Sequence, residues 1–177
     1  YTGEDIETLF SMRPESVIAM SSFSKLISPG LRVGYMIATK DLQTRLAKFA
    51  EETYINASYL NQAMVMEFIH RSWLNEQLDS LKNLYRSRLS TLLTSLEENF
   101  NGLATWTKPQ GGFFVSLMLN GEEKARKLLS CTDFGLKLTD GRGFFTEGGE
   151  NFIRLPFCAL TEEQLNEGVK RLYRLIE

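Results

Sequence analysis

Between Trp73 and Phe100 the apolar residues Leu74, Leu78, Leu81, Tyr85, Leu89, Leu92 and Leu96 recur at steps of four and three. That spacing draws one stripe along a single long helix. Asn101-Gly102 ends it, since glycine suits the left-handed position after a helix. The closing segment starts at Thr161-Glu162-Glu163-Gln164, a capping box, with Leu160 and Leu165 placed as a hydrophobic staple. Leu165, Val169, Leu172 and Ile176 then supply its buried face. Shorter helices are expected from Asp41, a good N-cap residue, to Glu52, from Tyr59 to His70, and from Gly121 to Ser130. Leu60, Met64 and Phe68 belong to the apolar face of the second of these.

Strands read from shorter patterns. Val17, Ile18, Ala19 and Met20 form an apolar β-prone run expected to be a short buried strand, and Val33 to Ala38 is the next, with the Ser22 to Arg32 loop between them. Further strands are expected over Leu103 to Thr107 and Gly112 to Leu119, joined through Pro109-Gln110-Gly111, then over Phe134 to Leu138 and Phe152 to Pro156. Asp140-Gly141-Arg142-Gly143 reads as a loop. Strands interleaved with helices predict an α/β small domain attached to the tail of a larger one, divided near residues 39 to 41.

Composition narrows the picture by exclusion. The 177 residues are 43% hydrophobic and 24% charged, an ordinary globular balance able to bury a sizeable core. A net charge of −2 gives no electrostatic reason to expect nucleic acid or a membrane surface as partner. No apolar run is long enough to span a bilayer, and the N-terminus has no signal-peptide pattern, so a cytoplasmic location is expected. The two cysteines, Cys131 and Cys158, lie far apart, and His70 is the single histidine, which leaves zinc sites and histidine triads without support.

The candidate chemistry gathers in Ser21-Ser22-Phe23-Ser24-Lys25-Leu26-Ile27-Ser28-Pro29-Gly30-Leu31-Arg32-Val33-Gly34-Tyr35. A lysine amine is a nucleophile only when deprotonated, and burial lowers its pKa toward that state. Arginine stays charged, and its fork matches phosphate oxygens. A fixed lysine beside a phosphate-binding arginine is what a Schiff base to an aldehyde-bearing phosphate cofactor requires, and pyridoxal phosphate is that cofactor.

The pattern S-x-S-K followed by L-x-x-P-G-L-R-x-G-Y resembles the lysine segment of fold-type-I, class I/II aminotransferases. The resemblance is strongest to the 2-aminoadipate and kynurenine aminotransferase branch, and to bacterial winged-helix regulators fused to an aminotransferase-like domain. It implies that Lys25 is the catalytic Schiff-base lysine, that Arg32 and Ser22 bind the cofactor phosphate, and that Ser24 either joins them or satisfies loop backbone groups. Tyr1 matches a tyrosine that contacts the cofactor's ring oxygen. Arg154, in Asn151-Phe152-Ile153-Arg154-Leu155-Pro156-Phe157, matches the arginine that binds the substrate α-carboxylate. Gly111-Gly112-Phe113-Phe114 resembles the segment lining the substrate side of the cleft, and Phe144 and Phe145 would lie beside it.

By the same resemblance the chain is the C-terminal part of a fold-type-I transferase. Residues 1–40 would be the remnant of the large cofactor-binding domain and 41–177 the small domain. The full-length protein would be a homodimer moving an amino group between an α-amino acid and a 2-oxo acid, with no metal. The chain starts at Tyr1 without methionine and is expected to have little activity alone. The alternative is a sensor domain of a transcription regulator, which meets nucleic acid only through a winged helix fused upstream. Two positions depart from the family pattern: Asp140-Gly141 replaces a Pro-Gly, and the stretch from Leu119 to Phe134 is short.

Overall fold

The computed structural model of the protein describes residues 6–121 and 126–177. It divides into two compact units between Leu81 and Lys82, inside the longest helix.

The first unit opens with a single turn of helix, α1 (Leu9–Met12), capped by Thr8. Strands β1 (Ala19–Ser22) and β2 (Gly34–Ile37) then pair antiparallel, Ala19 opposite Ile37 and Ser22 opposite Gly34. The expectation of a buried first strand does not hold. Met20 is 73% exposed and Ile18 42%. An apolar run records what its residues prefer, but a two-stranded ribbon has too few neighbours to cover either face. Helix α2 (Lys40–Thr53) starts one residue before the expected cap. Thr39 is its N-cap and makes no side-chain bond, while Asp41 sits in the first turn, where the helix dipole favours an acid. Helix α3 (Tyr59–His70) is capped by Ser58, which accepts from the Asn61 N–H, and buries Val65. His70 is exposed in its last turn.

The long helix α4 (Trp73–Phe100) follows its stripe: Leu74, Leu78 and Leu81 are half-buried, then Leu89, Leu92, Leu96 and Phe100 are buried. In the second unit, β3 (Ala104–Trp106), β4 (Phe114–Leu119) and β5 (Phe152–Pro156) form an antiparallel sheet in the order β3-β4-β5. Alternation sorts its two faces. Val115, Leu117, Leu119 and Ile153 point into the core, while Phe114, Ser116 and Arg154 point away from it. Helix α5 (Glu162–Ile176) closes the core with Leu165, Val169, Leu172, Leu175 and Ile176. Its capping box is formed, with the Thr161 N–H donating to Gln164 Oε1 at 2.9 Å. Leu160 packs against the same core.

The strand expected over Phe134 to Leu138 is absent. Leu128–Phe134 winds as 3-10 helix, and Gly135 then adopts a left-handed φ of 67° that ends it. Leu136 and Leu138 still pack against the core, so their alternation reports one-sided burial without a strand partner. The helix expected from Gly121 to Ser130 falls partly outside the described residues; Arg126 and Lys127 are helical. Asp140 to Gly143, read as loop, enters a 3-10 turn over Gly141–Phe144. Among the described residues no helix is long and apolar enough to cross a membrane.

Candidate active site

The loop between β1 and β2 carries Ser22, Ser24, Lys25 and Arg32 at one end of a single ribbon. Its conformation is fixed mainly by its own backbone. The Phe23 N–H donates to Val33 O at 3.0 Å, and the Leu26 and Ile27 N–H groups donate to Phe23 O at 3.2 and 2.8 Å. Ser28 Oγ accepts from the Gly30 N–H at 3.3 Å and starts the 3-10 turn Pro29–Leu31. Asn61 Nδ2 of α3 donates to Leu31 O at 2.9 Å and ties the loop to that helix. A β-carbon at Gly34 would come 2.9 Å from Ser21 O, so glycine permits the close strand approach that shuts the loop.

Two features of the loop stand out. Arg32 has a left-handed backbone, φ 52° and ψ 36°, a conformation that costs energy for a residue with a side chain. Lys25 and Arg32 are exposed, and among the described residues neither is hydrogen-bonded or ion-paired. Ser22 Oγ lies 2.9 Å from Ser24 Oγ and accepts from the Ser24 N–H at 3.1 Å, so both hydroxyls are engaged within the loop. Tyr1 lies outside the described residues.

Arg154 belongs to the other unit. It stands on β5 opposite Ser116 of β4 and is half-buried. Its Cζ lies over the Phe114 ring at 4.3 Å from the centroid and over the Phe144 ring at 4.4 Å. Phe144 meets Phe152 tilted and Phe145 meets it edge-on, with ring centroids 5.4 and 5.2 Å apart. Among the described residues no carboxylate or carbonyl bonds the Arg154 guanidinium, so its planar edge is open to a ligand. The neighbouring Asp140 carboxylate is held below the usual aspartate range by hydrogen bonds from the Arg142 side chain and backbone N–H. Phe113, by contrast, faces Tyr85 edge-on at 5.7 Å.

The donor set of the β1–β2 loop fits an aldehyde-bearing phosphate. It offers one amine and one guanidinium on a single loop, with no described carboxylate to neutralise the cations. Sequence reasoning placed Phe114 and Phe144 near a cleft but did not join them to Arg154. The register of β4 against β5, which sets Ser116 opposite Arg154 and Phe114 on the same face, is the signal that joins the first of them.

The aminotransferase class I and II family model matches residues 2–172, and the chain belongs to that family. It is 31% identical to the 2-aminoadipate transaminase of Thermus thermophilus, across 100% of this chain and 46% of that protein. The crystal structure of the alpha-aminoadipate aminotransferase LysN of Thermus thermophilus, complexed with N-(5'-phosphopyridoxyl)-L-leucine, superposes with a TM-score of 0.85 at 30% identity. That match covers 99% of this chain and 47% of LysN. An uncharacterized HTH-type transcriptional regulator of Bacillus subtilis is 27% identical over 91% of this chain and 33% of its own length. The chain thus spans less than half the length of these relatives, and its mixed helix and sheet content is that of the C-terminal part of a fold-type-I transferase.

Proposed function

We propose that this chain is the C-terminal portion of a pyridoxal-phosphate-dependent aminotransferase, moving an amino group between an α-amino acid and a 2-oxo acid. The carrying observation is the pair of exposed cations, Lys25 and Arg32, held by one loop in a chain of this family. Bound pyridoxal phosphate supplies an electron sink that makes the amino acid's Cα–H acidic. Lys25 would hold the cofactor aldehyde through its amine and, once freed by substrate, would serve as the base that carries the substrate Cα proton. Arg32 would hold the phosphate with the Ser22 and Ser24 hydroxyls, and Tyr1 is assigned the ring oxygen by the family pattern alone. Arg154 receives the substrate α-carboxylate on its open edge, where a planar fork meets a planar fork.

In this reading residues 1–40 close the large domain and 41–177 form the small domain of a cytoplasmic homodimer. Similarity to the Bacillus subtilis regulator favours a second reading, a cofactor-binding sensor domain. A winged helix encoded upstream of Tyr1 would support it.

Borohydride reduction of the full-length protein, followed by peptide mass spectrometry, should find the cofactor on Lys25. Lys25→Ala should lose the near-ultraviolet and visible absorbance band of the bound cofactor, and an unchanged spectrum would overturn the assignment. Arg154→Ala should raise the KM for an amino acid by the equivalent of about 2–5 kcal/mol, since one partner of a charged pair is lost.

A further inference from the structure

We infer that Phe114 and Phe144 are positioning residues that hold the Arg154 guanidinium in the orientation a carboxylate needs. The inference rests on the reading of Arg154 as the carboxylate-binding arginine and adds what orients it. An arginine side chain has many rotamers, and fixing it costs binding free energy unless the protein has fixed it beforehand. Acceptor side chains commonly do this, yet among the described residues none bonds Arg154. Two aromatic rings stand against it instead, at 4.3 and 4.4 Å from Cζ. A delocalised guanidinium is attracted to a ring face and, when stacked there, keeps its N–H groups in the plane of its own fork. Ring contacts therefore restrain the arginine without using the donors that a carboxylate would take.

The two rings arrive from separate elements. Phe114 is delivered by the strand register, two residues before Ser116 on the outward face of β4. Phe144 comes from the Gly141–Phe144 turn, which is itself tightly determined. Asp140 Oδ1 accepts from the Arg142 N–H at 3.0 Å to cap that turn. At Gly141 a β-carbon would lie 2.2 Å from Gly149 O, so only glycine fits there. Phe144 also leans on Phe152, with ring centroids 5.4 Å apart. Both rings remain partly open, Phe114 at 38% and Phe144 at 41% exposed, so truncating either leaves the buried core untouched.

The test is a double-mutant cycle on the full-length protein with bound cofactor, using L-2-aminoadipate as amino donor and 2-oxoglutarate as acceptor. Phe144→Leu and Phe114→Leu should each raise the KM for L-2-aminoadipate about 2-fold to about 30-fold, the span of cation–π contributions from exposed to desolvated sites. The kcat should change little. Phe144→Tyr, which keeps the ring, should restore the native KM. In an Arg154→Ala background, Phe144→Leu should have no further effect, because its action passes through Arg154. The same rise in both backgrounds would mean direct substrate contact or general damage, and would overturn the proposal. So would a native KM in both leucine variants. If Arg154→Ala alone left the KM unchanged, the carboxylate reading beneath the proposal would fall, which is a different outcome from failure of the rings.

Discussion

From Lys82 onward, α4, α5 and the inner face of β3-β4-β5 enclose Leu92, Leu96, Phe100, Val115, Leu117, Phe157 and Leu172, each at 1% exposure or less. Before that point, Val65 is the one apolar side chain among the described residues that is buried, while Met20, Phe49, Tyr59 and Leu60 are all more than 60% exposed. Both regions carry proposed site residues, so the contrast bears on function. Arg154 rises from a sheet whose other face is a filled core. Lys25 and Arg32 rise from a two-stranded ribbon that is marginal by itself. Placement of Arg154 is thus intrinsic to its unit. Placement of the lysine rests instead on the loop's own backbone bonds and on the tie from Asn61 of α3.

The sharpest way to break this contrast is a pair of truncations of similar chemistry, one in each unit. Phe100 is fully buried, and Phe100→Ala should destabilise the chain by about 3–5 kcal/mol through lost burial and the cavity left behind. Leu60 is 63% exposed, and Leu60→Ala should stay within about 0.5 kcal/mol. Urea unfolding of the 177-residue chain measures both. Equal losses would show that the first unit has a core as cooperative as the second.

Helix caps sharpen the comparison on a smaller scale. Thr161 Oγ1 accepts from the Gln164 N–H, and α5 behind it supplies five buried residues. Thr161→Ala should cost about 0.5–2 kcal/mol. Thr39 occupies the same position on α2 but makes no side-chain bond, so Thr39→Ala should be close to neutral. The same unfolding curves decide it, and a cost at Thr39 matching that at Thr161 would contradict the geometry.

The clearest signals in sequence lie on both sides of Leu81. A period of four and three over Trp73–Phe100, a capping box at Thr161 and alternation through β4 are signals that local sterics and burial produce together, so the elements formed where expected. Legibility ended where partners decide. Leu136 and Leu138 alternate like a strand and are covered on one side, but Gly135 turns the chain and no ladder forms. Val17 to Met20 read as buried because apolarity is a property of the residues, whereas cover is a property of neighbours. The site shows the same limit. Lys25, Ser22, Ser24 and Arg32 could be proposed from sequence because they lie within one short motif. The rings around Arg154 come from positions 114 and 144, and only strand register and turn geometry bring them to it.

The smallest expected effect lies in the turn that carries Phe144. Hydrogen bonds from the Arg142 side chain and backbone hold the Asp140 carboxyl below its usual range. Its folded pKa is therefore lower than its unfolded one. The contribution to stability is fully present above the unfolded value and is lost as pH falls through the folded value. Both groups are exposed, and solvent screening keeps the effect modest. Asp140→Asn should lower the unfolding midpoint slightly at neutral pH, and the gap to the native chain should close as pH falls below the ordinary aspartate range. A gap that stayed constant across that range would mean that the carboxylate charge contributes nothing there. The turn would then be held by its cap geometry and by the close packing of Gly141 against Gly149 alone.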